Sequence, residues 1–477
     1  MKRILLVFFA AFFSVSSFAQ IDTTARKWNL REIIDYAIAH NLTVKRSEYA
    51  VENGEVNALQ AKAALLPTLN ASASYGYNWG RTIDPGSNSF TENRVKSVNM
   101  NASSSLLLWN GFRLFYNVKQ TDTELEALSE DLIKSRNDVI LSVITLYINV
   151  VFNKELYTVA RLQLRSTEEQ LLRTRKLADA GSVPQANVLN LEAQFATNEL
   201  NLIQRENAVN LTLLQLKQAL QLPASTPMDV ELPQIDLNAS DVVNKTPEEI
   251  YDIATGTMPE IKAARLRRKG ALFALRSTQG NFYPRLSMSG SLSTVYSDQR
   301  LQFSPDGTTS EQVIGYVQGS PTSVVVIPSA NGSYFVPGYS DQFQNNLGKS
   351  LGFSLQIPIF NGLSTRSAVQ RAKISRNLAE ISLTENENRL RQTVETAYND
   401  AISAIKTYNS AQKQVSARDE AYRMTKIRLD NGAVNYVEYQ VAENDLYQAK
   451  SDLLRAKYDF IFRKKVLDFY QGLPLGL

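Results

Sequence analysis

The fold is decided by a stretch that occurs twice, SSLLLWNGF at residues 104–112 and LQIPIFNGL at residues 355–363. In each copy, a segment of alternating apolar and polar residues runs through Asn-Gly into 69 residues without glycine or proline, 112–180 and 363–431. Helix interiors exclude both residue types. At 1.5 Å per residue, a helix of this length would be roughly 100 Å long. The sequence therefore predicts a strand followed by a very long helix, twice.

The whole chain is organised by this repeat. A shift of 251 positions aligns Asn110 with Asn361 and Gly181 with Gly432, whereas upstream of the strands the shift is 217. The two shifts differ by 34 residues, so the second repeat contains an insertion. It falls at about 298–346, a segment rich in Gly, Pro, Ser and Asn, which is typical of a long loop. A surface lid and a tolerated insertion are both compatible with this loop, and we favour the insertion.

Four segments follow from the repeat. We predict a signal peptide at 1–19, a first repeat at 20–232, a linker at 233–247 where the short helices meet, and a second repeat at 248–477. Each repeat should contain a short helix, two strands, a long helix and another short helix. The apolar positions of the long helices recur every three or four residues, which indicates side-by-side packing as in coiled coils.

The N-terminus has the three parts of a secretory signal peptide. Lys2 and Arg3 precede an apolar run at 4–13, and Ser-Phe-Ala precedes Gln20. The alternative, an uncleaved membrane anchor, is disfavoured because about ten apolar residues are too few to span a bilayer. No later stretch contains about 20 consecutive apolar residues, so we predict no membrane-spanning helix.

Composition and motifs argue against several classes of function. A net charge of +4 is too small for a protein whose main partner is nucleic acid. The absence of cysteine rules out disulfides, thiolate metal sites and a lipid-modified N-terminal cysteine. No nucleophile elbow, phosphate loop or zinc-protease motif is present, and the single histidine, His40, is interpreted as structural. We therefore expect no catalytic residue, metal site or cofactor.

Four segments between the helices alternate with a period of two residues, at 69–79, 98–108, 286–294 and 351–359. One face is apolar and the other carries Ser, Asn and Gly, which is typical of transmembrane barrel strands, although strands of a soluble β-sandwich also alternate. Two groups of aromatic residues would form the lipid-facing interfacial girdles: Tyr75, Tyr77 and Trp79 at one end, and Trp109 and Phe360 at the other.

Four strands are too few to close a barrel, and an open edge in lipid leaves backbone groups unpaired at several kcal/mol each. Several copies must therefore share one barrel. Two copies would give eight strands around a filled interior, and three would give twelve around a wider lumen. The small polar residues of the predicted inner face favour the wider version.

The order and spacing of these motifs resemble the TolC family of outer-membrane efflux and secretion channels over nearly all of the mature sequence. The junctions Asn110-Gly111 and Asn361-Gly362 contribute to the resemblance, as do the hairpin tips RKLADAGSVPQANVLNLEAQ at 175–194 and IRLDNGAVNYVEYQVAENDLYQAK at 427–450. The resemblance implies a mixed fold of α-helices and transmembrane β-strands. Very long coiled-coil-like helices would form a periplasmic α-barrel, and each protomer would give four strands to a shared trimeric β-barrel.

The resemblance also implies a location, partners and a function. The protein would lie in the outer membrane with a long periplasmic extension, as a homotrimer bound to a periplasmic adaptor and an inner-membrane transporter. It would be the exit duct of a tripartite efflux pump or a type I secretion system, moving small toxic compounds or polypeptides to the exterior. The alternative is a long helical cell-surface structural or adhesion protein without channel activity, which would not explain the four two-faced strands.

The resemblance places a periplasmic gate at the hairpin tips near Gly181 and Gly432. A glycine there can adopt the left-handed conformation that ends a helix. Acidic residues just after the tips line a constriction in this family. The sixth residue after each glycine is Asn187 in the first repeat and Glu438 in the second, so only the second keeps the acid. The alternative interpretation of both tips is a plain helix turn.

Overall fold

The computed structural model describes residues 26–232 and 245–473. The predicted signal peptide lies outside these residues, as does most of the predicted linker. The described chain divides into two compact units. The helical unit contains residues 26–53, 126–266 and 381–473, and the strand unit contains residues 54–125 and 267–380.

The elements follow the predicted repeat order. The first repeat contains β1 (Arg26–Trp28), α1 (Leu30–His40), α2 (Leu42–Ala63), β2 (Thr68–Asn78), β3 (Thr82–Ile83), β4 (Phe90–Thr91), β5 (Val95–Trp109), α3 (Arg113–Asp179), α4 (Gln185–Ala219) and β6 (Met228–Val230). The second contains α5 (Pro247–Thr257), α6 (Pro259–Gln279), a 3-10 turn (Gly280–Phe282), β7 (Arg285–Ser297), β8 (Gln302–Val317), β9 (Ser320–Phe335), α7 (Tyr339–Asn345), β10 (Gly348–Gln356), α8 (Ser364–Asp430) and α9 (Tyr436–Tyr470).

The long helices α3 and α8 each contain 67 residues, as the glycine- and proline-free stretches predicted. Each predicted short helix before the strands is instead a pair of helices. Asn29 and Thr246 begin the first helix of each pair with a capping box, in which the cap side chain and a glutamate three residues later satisfy each other's backbone N–H. Asn41 and Met258 end these helices with the same extended backbone, φ −68° and ψ 127°. The sequence did not reveal this break.

Equivalent residues build the cores of the two repeats within the helical unit. In each repeat, the short helix, the long helix and the final helix contribute apolar side chains to one cluster. Burial of these side chains is the main favourable contribution to folding. The repeat-equivalent pairs in the two clusters are Ile33 and Ile250, Val143 and Val394, and Leu216 and Leu467.

The sequence predicted no helix that could span a membrane, and α3 does not fit that prediction. One 18-residue window of it is long and apolar enough, by length and composition alone, to cross a membrane. The expectation considered only uninterrupted apolar runs, whereas Ser142, Thr145 and Asn149 interrupt the apolar residues of α3. Of this window, 44% is buried inside the structure. A buried core helix accounts for such a composition as well as a membrane span does.

The strand unit contains an antiparallel four-stranded sheet in the order β10-β7-β5-β2. Its register places mainly polar residues on one face and mainly apolar residues on the other. Asn70, Ser103, Ser291 and Ser350 form one polar row across all four strands. Residues next to them in sequence form a row on the other face that is apolar in Ala71, Ala102 and Leu292 and ends in Lys349 on β10. The four predicted strands and their two-faced character are therefore present.

The insertion in the second repeat is more regular than the sequence indicated. Instead of an irregular loop, β8 and β9 form a two-stranded antiparallel hairpin, followed by the short helix α7. Side chains near its turn are exposed and apolar, including Val313, Ile314, Tyr316 and Val324. Glycine, proline and serine misled the prediction because such residues are usually depleted in strands.

Candidate functional site

Both helical hairpins turn through the same glycine-centred cap. Gly181 follows α3 with φ +70°, and Gly432 follows α8 with φ +71°. Each glycine N–H donates to the carbonyl three residues earlier at 2.9 Å, and the next N–H donates to the carbonyl five residues earlier at 2.8 Å. These are Schellman caps, in which glycine avoids the steric penalty of a left-handed backbone. The predicted conformation of both glycines is thus present, whereas their role in a gate stays a prediction.

The residues predicted to follow the tips have different surroundings. Glu438 is exposed in the first turn of α9, where its N–H donates to the side chain of Asn435 at 2.9 Å. A carboxylate at this position is stabilised by the helix dipole. Asn187 is partly buried in the first turn of α4, whose N-cap, Pro184, provides no side-chain hydrogen bond. Each residue lies in its own hairpin, and a role of either residue in a gate stays a prediction.

The two hairpins contact each other within the helical unit. Tyr436, the first residue of α9, packs against Leu171 of α3 and Val188 of α4. Arg173 Nη1 lies 3.3 Å from Asp430 Oδ1, and both side chains are largely exposed. Such an exposed pair contributes at most about 1 kcal/mol. The apolar contact and the hydrogen bond that the hydroxyl of Tyr436 donates to Gln170 Oε1 at 2.8 Å therefore contribute more than this ion pair does.

A buried carboxyl group connects the hairpins further from the tips. Glu443 on α9 is 4% exposed, and its Oε1 accepts hydrogen bonds from Ser166 Oγ at 2.7 Å and Gln170 Nε2 at 3.1 Å, both on α3. Gln170 Nε2 also donates to the hydroxyl of Tyr439 at 2.8 Å, and that hydroxyl donates to Glu443 at 3.4 Å. We call these four side chains, Ser166, Gln170, Tyr439 and Glu443, the polar bridge.

Burial determines how the polar bridge ionises. It raises the pKa of Glu443 above its ordinary value, while the hydrogen bonds from Ser166 and Gln170 oppose the increase. Burial also raises the pKa of Tyr439 and raises that of the neighbouring Tyr447 to about 12. Both tyrosines therefore keep their protons at neutral pH, and the hydroxyl of Tyr439 donates to Glu443. The carboxyl group of Glu443 binds a proton more readily than an exposed glutamate does.

The polar bridge exists in only one repeat. Glu192, the equivalent of Glu443, is partly exposed on α4 and pairs with Arg175 at 2.6 Å. The sequence alignment of the two glutamates gave no indication that only one is buried. A signal was present on α3, because Ser166 and Gln170 are polar whereas the equivalent positions of α8, 417 and 421, are alanines.

The predicted aromatic girdle residues lie near the ends of the sheet. At the end of β2, the ring centroids of Tyr75 and Tyr77 are 5.4 Å apart, and Trp79 follows at 5.9 Å from Tyr77. At the opposite end, Phe360 is exposed beyond β10. All four rings are exposed. Their contact with lipid stays a prediction.

Trp109 reaches the apolar face only because β5 is irregular. The register shifts between Leu107 and Trp109, so Trp109 pairs with Leu286, a residue of the apolar face. Regular alternation would have placed Trp109 on the polar face with Ser105. A β-bulge redirects side chains in this way, and the sequence did not reveal it.

The two strand-to-helix junctions have the same tight turn. The N–H of Arg113 donates to the carbonyl of Asn110 at 3.3 Å, and the N–H of Ser364 donates to that of Asn361 at 3.2 Å. Within each turn, two consecutive residues have positive φ, between +61° and +65°. They are Gly111 and Phe112 in the first junction and Gly362 and Leu363 in the second.

His40 is placed as a structural residue would be. It ends α1, and its ring centroid lies 4.2 Å from that of Tyr36. Within residues 26–232 and 245–473, no group of three or more His, Cys, Asp or Glu side chains could hold a metal ion.

Comparison with known proteins identifies a family. The family described as "Outer membrane efflux protein" matches residues 33–221 and 250–467. Outer membrane protein TolC of Escherichia coli (strain K12) is 23% identical, covering 97% of this chain and 85% of TolC. The alkaline protease secretion protein AprF of Pseudomonas aeruginosa is 20% identical, covering 88% and 79%. Among solved structures, the outer membrane protein VceC of Vibrio cholerae has a TM-score of 0.73 at 15% identity, covering 94% and 97%.

Proposed function

This chain belongs to the outer membrane efflux protein family, and on that premise we propose that three copies form the exit duct of a tripartite efflux pump or a type I secretion system. The protein lies in the outer membrane and is a channel for efflux or secretion. Its cargo consists of small toxic compounds or polypeptides, which reach it from the periplasm or from an inner-membrane transporter. A periplasmic adaptor joins the channel to that transporter.

The four-stranded sheet is the observation that carries this proposal. It is apolar on one face and polar on the other, and its outer strands, β2 and β10, each have one hydrogen-bonded neighbour among the described strands. A lipid-exposed edge leaves N–H and C=O groups unpaired. Pairing β10 of one copy with β2 of the next satisfies both edges. Neighbouring strands of the sheet are antiparallel, so the first and the last of its four strands run in opposite directions. The new pair of β10 and β2 is therefore antiparallel as well.

Three copies give a barrel of twelve strands. The small polar side chains of the inner face, of which Ser103, Ser291 and Ser350 are examples, leave room for an aqueous lumen. The structural or adhesion protein without channel activity does not require a sheet with one face for lipid and one for water. We also expect no catalytic turnover, since TolC and AprF are an outer membrane protein and a secretion protein.

Conductance and assembly test this proposal. Protein purified from the outer membrane should migrate as a heat-modifiable trimer and form ion-conducting channels in planar bilayers. Phe353→Lys places a charge on the apolar face of β10 and should reduce the yield of trimer, because such a charge costs about 2–4 kcal/mol in the middle of a bilayer. Ser354→Lys, the matched control on the polar face, should assemble. A water-soluble monomer that never inserts into lipid would refute the proposal.

A further inference from the structure

The strand unit contains a cavity of about 850 Å³ beside the junction between β5 and α3. Aromatic rings form much of its wall, including Trp109, Phe112 and Tyr283. Trp109 and Phe112 contact each other edge to face, with ring centroids 4.6 Å apart, and both are exposed. Aromatic side chains of this kind are enriched where a membrane meets water.

Three cationic side chains also line the cavity: Arg276 of α6 and Arg366 and Lys373 of α8. None of its 13 lining residues is an Asp or Glu. Arg276 lies over the ring of Tyr116, with 5.6 Å between the guanidinium carbon and the ring centroid. Within the described parts of the chain, none of the three cations forms an ion pair with a carboxylate. The cavity therefore combines three positive charges with no internal counter-charge.

Some other cations of the strand unit are paired with carboxylates within the protein. Arg268 of α6 lies 3.1 Å from Glu380 of α8, and Lys62 of α2 lies 2.9 Å from Asp122 of α3. Both pairs belong to the same strand unit as the cavity. Unlike Arg268 and Lys62, the three cations of the cavity have no carboxylate partner among the described residues. The cavity is a site that attracts an anion from outside the chain.

The position of Trp109 places the cavity on the apolar side of the sheet. The bulge in β5 pairs Trp109 with Leu286, whose neighbours across the sheet are apolar as well, including Leu355. A ligand in the cavity can therefore have its anionic group among the cations while an attached hydrocarbon chain lies along the apolar face. An anion without a hydrocarbon chain would contact the cations but not the apolar face.

We infer that this cavity binds the headgroup phosphate of an anionic phospholipid. The inference rests on the proposed function, since the apolar face of the sheet must lie in a bilayer. Arg276, Arg366 and Lys373 attract the phosphate, and basic pockets next to membrane-embedded segments bind anionic headgroups in this way. Trp109 and Phe112 contact the region between the headgroup and the acyl chains. Bound lipid then fixes the level of the strand-to-helix junction at the membrane surface.

Lipid binding to the detergent-purified trimer tests the inference. Native mass spectrometry would count the lipids retained after titration with phosphatidylglycerol, with zwitterionic phosphatidylcholine, or with inorganic phosphate. The triple variant Arg276→Gln, Arg366→Gln, Lys373→Gln should bind phosphatidylglycerol at least about tenfold more weakly. The matched control removes three exposed cations of the helical unit on α8 by Arg389→Gln, Lys406→Gln and Lys413→Gln, and should bind normally.

Each outcome is decisive. Preferential binding of phosphatidylglycerol that only the cavity variant loses supports the inference. Equal loss in both triple variants means a general effect of charge and overturns it, as does equal binding of the two lipids. If inorganic phosphate displaces the lipid completely at millimolar concentration, the cavity is a phosphate site and not a lipid site. Trimer formation and conductance of the wild type are measured on the same sample, so a conducting trimer without lipid preference leaves the proposed function intact.

Discussion

Replacement of Glu443 with alanine should destabilise the helical unit much more than the same change at Glu192. The two glutamates occupy equivalent positions in the two repeats, and the chemical change is identical. Glu443 is 4% exposed and accepts hydrogen bonds from α3, whereas Glu192 forms an exposed pair with Arg175. The comparison therefore isolates the effect of burial.

The magnitude follows from the partners that Glu443→Ala leaves behind. Gln170 keeps its hydrogen bond to Tyr439, but Ser166 loses its acceptor at 2.7 Å. A buried polar group without a partner costs about 1–3 kcal/mol. The cavity left by the missing carboxyethyl group adds to that loss. We expect a loss of about 2–4 kcal/mol for Glu443→Ala, against less than about 1 kcal/mol for Glu192→Ala.

The same site gives the sign of a pH dependence. The pKa of Glu443 in the folded protein is raised above the value of 4.5 expected when it is exposed. The folded protein therefore binds a proton more tightly, and the contribution of this group to stability is fully present below pH 4.5 and is lost as the pH rises through the raised pKa. Glu443→Gln should remove this decline, so that the stability of wild type relative to the variant falls between pH 4.5 and neutrality.

Urea titrations followed by far-ultraviolet circular dichroism would measure both effects at fixed protein and detergent concentrations. Conductance of the same variants would show whether loss of the polar bridge opens the channel, in which case Glu443→Ala conducts more than Glu192→Ala. Equal destabilisation by the two alanine variants would refute the assignment of a buried structural carboxyl group. A pH profile unchanged by Glu443→Gln would refute the raised pKa.

Three further predictions concern the junctions, the hairpin and the mouth. Gly111→Ala should destabilise the strand unit more than Gly362→Ala, and thermal unfolding of both variants would test this. Both glycines have positive φ, but only a Cβ at position 111 would approach the carbonyl oxygen of Gly280, at 2.6 Å. Deletion of residues 302–335 should leave trimer yield unchanged in gel electrophoresis, because β8 and β9 pair only with each other in the described sheets; loss of the trimer would show that the hairpin helps assembly. Glu438→Gln should weaken cation preference and block by multivalent cations in single-channel recordings, and unchanged values would remove Glu438 from the gate.

Several features could be predicted because they depend on local sequence. The left-handed Gly181 and Gly432 end long helices that contain no other glycine, and only glycine adopts that backbone at no steric cost. The face on which most strand residues lie could also be anticipated, because side chains alternate between the two faces along a strand. The hairpin β8–β9 was missed because both of its strands contain glycine and proline, although Val324 and its neighbours are β-branched.

The sequence by itself determined the duplication, the two long helices and the four two-faced strands. These properties follow from the spacing of apolar residues and from the absence of glycine and proline. Both can be recognised from residues that are neighbours in the sequence. Only the tertiary structure decided that Glu443 is buried while Glu192 is partly exposed, and that a bulge turns Trp109 onto the apolar face. It also decided that Arg276, Arg366 and Lys373 line one cavity. Burial, redirected side chains and unpaired charge depend on which distant elements pack together, and two repeats with the same local pattern can differ in each of them.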